Sequence, residues 1–265
     1  MSPKTAWAWL RTRVRLARLE RGLRRRYGRD LSFEIHPDDL MYLWYLRGDE
    51  ARARRTYLSS GDRNIRELEQ ILDGLGRTLG PHLSLLDFAC GHGRLTRFLV
   101  SRLGRDRVTV SDIDPVAVDF VTAAFGVSGF YSVGRAGDLD HEGSYDVILV
   151  ASLFSHLPRG EWEAWLTKLH GLLAERGVLI FSTQGPSLYE TLGAEARAAA
   201  LTDTPGFYFV QSNETLGRLD VADYGQTYVE REYVAGVLES QSLGRLLGYY
   251  PRALWGRQDV YVVER

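Results

Sequence analysis

The hydrophobic positions change period along the chain. Trp7, Leu10, Val14 and Ala17 fall three or four residues apart, which predicts one narrow apolar stripe on a helix over Trp7–Arg26 that is otherwise covered in arginine. That stretch holds no proline and a single glycine, and arginine and leucine are good helix formers. A second helix is predicted over Pro37–Leu46, with Asp38 and Asp39 in the first turn, where acids suit the helix dipole. A third is predicted over Arg63–Thr78, where Ile65, Leu68, Ile71, Leu72 and Leu75 keep helical period.

From Leu83 short continuous apolar runs take over. Strands are predicted at Leu83–Phe88, Val108–Ile113, Tyr145–Ala151 and Val178–Ser182, with a short one at Phe130–Val133. Helices are predicted between them at Arg94–Leu103, Pro115–Phe125 and Gly160–Leu173. Apolar strands that alternate with helices predict an α/β fold, a parallel sheet covered on both faces. Gly185–Thr215 reads as irregular, with one short helix over Ala194–Leu201. A helix at Arg231–Glu239, a strand near Leu243–Tyr250, a turn at Pro251–Arg257 and a last strand at Asp259–Glu264 follow. The short turn makes the last two strands expected antiparallel neighbours. Three regions emerge: an arm over 1–30, a helical cap over 31–80, and a main domain over 81–265 with an insertion at 186–215.

Composition narrows the class. The chain has 265 residues, 45% hydrophobic and 25% charged, which excludes a wholly disordered or collagen-like protein. No run approaches the ~18 uncharged apolar residues of a membrane span. The single cysteine, Cys90, excludes an intramolecular disulfide framework and a multi-cysteine zinc site. The basic N-terminus lacks the continuous apolar core of a secretory signal, so a cytoplasmic setting is expected. The net charge of −1 hides an asymmetry: residues 1–30 carry +8 and the rest −9. A basic arm on an acidic body bears on partners.

The most informative stretch is Leu85-Leu86-Asp87-Phe88-Ala89-Cys90-Gly91-His92-Gly93-Arg94. A strand ends at Asp87, small residues turn the chain, and a helix begins near Arg94. Gly91 and Gly93 permit close backbone approach to a ligand, and the helix N-terminus offers free N–H groups to an anion. About 20 residues on, Asp112 stands at the carboxyl end of the second predicted strand, where an acid can take two ribose hydroxyls. Asp114 could fill that role instead, or could cap the next helix with Pro115 at its first position.

These residues, followed by Tyr145-Asp146-Val147-Ile148 and Ser155-His156-Leu157-Pro158, resemble the class I S-adenosylmethionine-dependent methyltransferases over about residues 83–185. The resemblance implies a Rossmann-like doubly wound sheet of about seven strands with the last one antiparallel, plus an N-terminal helical extension. It implies S-adenosylmethionine as cofactor. It places Asp87 and the loop Ala89, Cys90, Gly91 and Gly93 around the methionine end, Asp112 on the ribose and Ile113 against adenine. Tyr57 is placed over the cofactor. Two positions depart from the pattern. Ala89 stands where glycine is common, and Arg135 falls where an acid often reads the adenine amino group, which leaves Asp138 as the candidate.

Methyl transfer to a hydroxyl benefits from a base at the crevice beyond the strand ends. His156, just past the fourth predicted strand, is the candidate base; its other reading is a residue that packs the loop. His92 reads as a cofactor-facing or solvated residue. His36 with Asp38 and Asp39 reads as capping in preference to a metal site. Aromatic residues cluster before and after the core motifs, and Gln184, Tyr224 and Tyr228 are candidate acceptor-binding residues.

Tyr57-Leu58-Ser59-Ser60-Gly61, Ser152-Leu153-Phe154-Ser155-His156, Tyr224-Gly225-Gln226-Thr227-Tyr228 and Gln258-Asp259-Val260 carry a softer resemblance to bacterial methyltransferases of glycan and surface-polysaccharide pathways. That resemblance implies a small-molecule acceptor, a sugar or lipid-linked glycan, and O-methylation. Two other readings stay open: an RNA methyltransferase that uses the arginine arm, and a non-catalytic cofactor-binding partner subunit. The acidic body and the absence of an Asn/Asp-Pro-Pro-Tyr motif at Ala151-Ser152-Leu153-Phe154 make nucleic acid the less favoured partner. The arm is expected to be a docking helix outside the methyl-transfer site. Its partner would be a protein or an anionic membrane surface, which would make the enzyme peripheral at the inner face of the membrane.

Overall fold

The computed structural model describes residues 3–194, 201–211 and 224–265. Three helices come first: α1 (Pro3–Tyr27), α2 (Leu40–Tyr45) and α3 (Glu50–Gly74). A βα alternation follows, with β1 (Leu85–Phe88), α4 (Thr96–Leu103), β2 (Val108–Asp112), α5 (Pro115–Phe125), β3 (Ser128–Tyr131), β4 (Tyr145–Val150), α6 (Arg159–Gly171) and β5 (Leu173–Gln184). The rest comprises α7 (Pro186–Tyr189), β6 (Leu201–Thr204), β7 (Phe207–Gln211), β8 (Gly225–Val229), α8 (Arg231–Ser240), β9 (Arg245–Leu254) and β10 (Gln258–Glu264).

Seven strands form the core sheet in the order β3-β2-β1-β4-β5-β10-β9. The first five are parallel, β10 runs antiparallel to β5, and β9 runs antiparallel to β10. Side chains alternate strictly between two cores. Leu85, Val147, Leu149, Val178, Ile180, Val260 and Val262 face one side, with α1, α3, α4 and α5. Leu86, Ile148, Val150, Leu179, Phe181, Tyr261 and Val263 face the other, with α6 and α8. Both faces are apolar, so the strands read as continuous hydrophobic runs.

Three expectations are corrected. α3 begins at Glu50, 13 residues before the expected Arg63, because Asp49 caps it by accepting from the Arg52 N–H at 3.0 Å. Glycine at 61 does not end it: a Cβ there would meet the Arg94 carbonyl at 2.8 Å, so the glycine lets α3 lie against the start of α4. Among its described residues the insertion is not irregular. β7 pairs antiparallel with β6 and β8, and β8 joins the end of β5 through Gln184 and Tyr228. The turn Pro205-Gly206, with Gly206 at φ +79°, closes the β6–β7 hairpin. Finally, β9 runs on through Pro251 to Leu254, which shortens the expected turn to residues 255–257. Residues 195–200 of the expected short helix lie outside the described residues.

The stripe expected to meet a partner points outward, away from the body. Trp7, Leu10 and Val14 are 63%, 46% and 42% exposed. The face packed on α3 and α4 is instead Leu16, Leu19, Leu23 and Tyr27. Arg26 pairs with Asp62 at 2.9 Å, and the Tyr27 hydroxyl donates to the same carboxylate at 2.9 Å.

Candidate functional site

The strand order reverses between β1 and β4, so the loops that leave them diverge and open a crevice at the carboxyl ends. The loop after β1 forms one wall. Ala89 sits at φ +59°, Gly91 at +53° and Gly93 at +74°. An alanine at Ala89 carries the strain that glycine would avoid. A Cβ on Gly91 would meet nothing within 4 Å, so this backbone faces open space. A Cβ on Gly93 would press on Phe125 and lie 2.9 Å from Val121. Cys90 holds the loop to β2, its N–H donating to Ser111 O at 3.0 Å, and burial keeps its thiol well above the usual range.

Asp87 is the penultimate residue of β1 and is 2% exposed. The Thr96 hydroxyl donates to it at 2.6 Å, yet burial pushes its pKa up to about 7. Asp112 ends β2, and its carboxylate is already aimed: Oδ2 accepts from Gly91 N–H at 2.8 Å and Oδ1 from Asp114 N–H at 2.9 Å. Each oxygen keeps a lone pair for a further donor. Burial raises the Asp112 pKa. Asp114 caps α5, accepting from Val116 N–H at 3.0 Å. Ile113 beside it is 37% exposed and presents an open apolar face. Asp138 lies exposed in a short turn, Ala136–Asp138, at the same end.

Tyr57 is fully buried and does not line the crevice. Its hydroxyl donates to Asp39 at 2.6 Å, and its ring lies 5.3 Å from the Arg97 guanidinium. Arg97 in turn donates to Gly93 O at 3.2 Å and to Glu34 O at 2.7 Å. Tyr57 therefore reaches the glycine loop through Arg97. Asp39 also caps α2, accepting from Tyr42 N–H at 3.0 Å.

Sequence reading missed Arg94, Arg97 and the packing of His92. Arg94 is 8% exposed and lies 4.8 Å from the Trp255 ring. It donates to Ser60 Oγ at 3.2 Å, and its Nε has no partner. His92 stacks on His36 at 4.5 Å, with Nε2 also unpartnered. Only Arg94's place just before α4 and Arg97's in its first turn hinted at a role. These two orphaned buried atoms, the open space at Gly91 and the aimed Asp112 carboxylate form a donor and acceptor set that fits a zwitterionic nucleoside.

A second cluster lies across the crevice. His156 follows the turn after β4, where Ser152 adopts φ +75°. Its Nδ1 is 2.9 Å from Gly225 O, and a carbonyl only accepts, so Nδ1 carries the proton and Nε2 the lone pair. Burial lowers its pKa and keeps the ring neutral. Tyr224 stacks on the ring at 4.6 Å. Gln184 Nε2 donates to Ser155 O at 3.3 Å and Gln226 Oε1 at 2.8 Å, while Gln258 Nε2 donates to Ser155 Oγ at 3.2 Å. Tyr228 is buried beside Tyr189 at 5.5 Å. The arrangement joins a neutral imidazole, three amides and several tyrosines.

Residues 85–177 match the family model described as a methyltransferase domain. A malonyl-[acyl-carrier protein] O-methyltransferase of Porphyromonas gingivalis is 29% identical over 119 residues, 45% of this chain and 44% of that protein. The enzyme of the same name from Acetivibrio thermocellus is 28% identical over 123 residues, 46% and 43% of the two chains. The match thus spans less than half the length of these curated relatives. Among solved structures, the Burkholderia thailandensis 1,6-didemethyltoxoflavin-N1-methyltransferase with bound S-adenosylhomocysteine shares the fold. Its TM-score is 0.51 at 19% identity, over 88% of this chain and 92% of that one.

Proposed function

We propose that the chain is a class I S-adenosylmethionine-dependent methyltransferase, a reading supported by its fold and the methyltransferase domain matched over residues 85–177, and that it methylates an oxygen of a small-molecule acceptor, a sugar hydroxyl. The bound cofactor supplies an electrophilic methyl group. In this reading Asp112 accepts from the ribose hydroxyls, Ile113 covers the adenine and Asp138 stands at its edge. Asp87 and the Ala89–Gly93 loop surround the methionine end.

The observation that carries the acceptor assignment is His156, a neutral imidazole with Nδ1–H held by Gly225 O. Its Nε2 takes the proton of the acceptor hydroxyl as the oxygen attacks. Gln184, Gln226 and Gln258 supply amides, and Tyr224 supplies a ring face. Amides and aromatic faces suit a polyhydroxylated ring. A carboxylate acceptor needs no base, so the proton-accepting imidazole favours a hydroxyl. We place a further partner surface on the exposed side of α1, outside this crevice.

The test is methylation of a panel of sugars and nucleotide sugars beside carboxylic acids and malonyl thioesters, read by S-adenosylhomocysteine release and product mass. A methyl ether supports the proposal. Methyl esters alone would move the acceptor class to carboxylates. Tight cofactor binding without turnover on any acceptor would favour the non-catalytic reading.

A further inference from the structure

Helix α1 is apolar on two sides. At about 100° per residue, the docked face of Leu16, Leu19, Leu23 and Tyr27 and the outward stripe of Trp7, Leu10, Val14 and Ala17 lie roughly 150° apart. The docked face accounts for the helix's place in the fold. The outward stripe is exposed along its length, over roughly 15 Å.

The charges around that stripe are ordered. Arg11, Arg18 and Arg25 project along one flank, and Arg13 and Arg24 along the other. All five are exposed. Arg24 also reaches over the Phe33 ring at 5.0 Å, whereas Arg26 is taken by Asp62. Glu20, the one acid of the helix, falls on the docked side. The outward side therefore presents an apolar strip with a tryptophan near its start, bordered by arginines on both sides.

We propose that this outward face of α1 docks on an anionic lipid surface, with the stripe in the acyl boundary and the flanking arginines on headgroup phosphates. Three occupants compete, and the charge pattern separates them. A second copy of α1 would bring arginine flanks against arginine flanks. A nucleic acid would meet the arginines but leave Trp7, Leu10 and Val14 in water. A lipid surface satisfies both, since long arginine side chains bury their stems and keep their heads at the phosphates. The inference deepens the partner reading above and rests on it, not on the identity of the acceptor.

The experiment is flotation of the full chain with phosphatidylcholine vesicles and with vesicles containing one-quarter phosphatidylglycerol. Three proteins are compared: the wild type, Leu10→Asp/Val14→Asp and Arg11→Gln/Arg18→Gln. All four positions are exposed, so thermal unfolding and S-adenosylhomocysteine binding should match the wild type. The wild type should float with the anionic vesicles at low salt and release at about 0.5 M salt, where screening is strong. Each double variant should weaken partitioning about tenfold or more. Equal partitioning of wild type and both variants overturns the proposal. So does a wild-type dimer that Leu10→Asp/Val14→Asp converts to monomer, or a salt-sensitive RNA complex without flotation. Cofactor binding is read in the same samples, so failure of the methyltransferase reading is seen separately.

Discussion

Asp87→Asn should make the cofactor-free protein more stable above pH 7 and a poorer binder of its cofactor. Asp87 is 2% exposed, and its only side-chain hydrogen bond within the described residues is from Thr96. Burial raises its pKa to about 7 from 3.8. A raised carboxyl pKa means that the folded state holds the proton more tightly than the unfolded chain. Stability from this group is therefore present at low pH and lost as pH rises from about 4 to about 7. The full shift corresponds to about 4 kcal/mol, and relaxation around the site leaves about 2–4 kcal/mol. Asparagine keeps an oxygen for the Thr96 hydroxyl and carries no charge. At pH 8 its melting temperature should exceed that of the wild type by at least about 4 °C. The difference should shrink as pH falls and become small by about pH 4, where the carboxyl is protonated in the folded chain and partly so in the unfolded one. The same charge is what a cofactor ammonium would need, so S-adenosylhomocysteine should bind the variant at least about tenfold more weakly. Calorimetric titration and thermal unfolding at the two pH values check both halves. A variant less stable at pH 8, or one with unchanged affinity, would refute the reasoning.

Asp112→Ala removes the acceptor of two backbone N–H bonds and, in the proposed reading, of the ribose hydroxyls. It should weaken S-adenosylhomocysteine by about 1.5–3 kcal/mol, and an affinity within threefold of wild type in calorimetry would sink the ribose assignment. His156→Gln should lower turnover ~10²–10⁴-fold with cofactor affinity nearly unchanged. The wild-type acid limb of kcat/KM should fall below pH 6.5, because burial lowers this histidine's pKa and only the neutral ring accepts a proton. A smaller loss under acceptor saturation would make the residue a structural tie to Gly225. Gly93→Ala should cost about 2–4 kcal/mol in denaturant unfolding, from the contact with Phe125 and the φ of +74°. Gly91→Ala, which meets nothing, should cost about 1–2 kcal/mol of stability and show its larger effect on cofactor affinity.

Local physics determined much of this protein in advance. Two-sided burial writes itself into a strand as an unbroken apolar run, so β1, β2, β4 and β5 were legible, and so were the helices after β1, β2 and β4. The strand-end places of Asp87 and Asp112 and the glycine turn between β1 and α4 were legible because such turns and strand ends need particular residues at fixed spacing. The Asp114-Pro115 pair announced the cap that α5 uses. What depended on distant partners was not legible. The stripe on α1 was visible, but which side of the helix docks was decided by Asp62 and the apolar face of α3, many residues away. Gly61 fell before the expected helix start at Arg63, and only the approach of the Arg94 carbonyl shows why α3 runs through it. Tyr57 was expected over the cofactor, yet Asp39 and Arg97 hold it behind the loop. Periodicity records which side of an element is apolar; the tertiary fold alone decides which apolar side is covered, and which buried charge is left for a ligand.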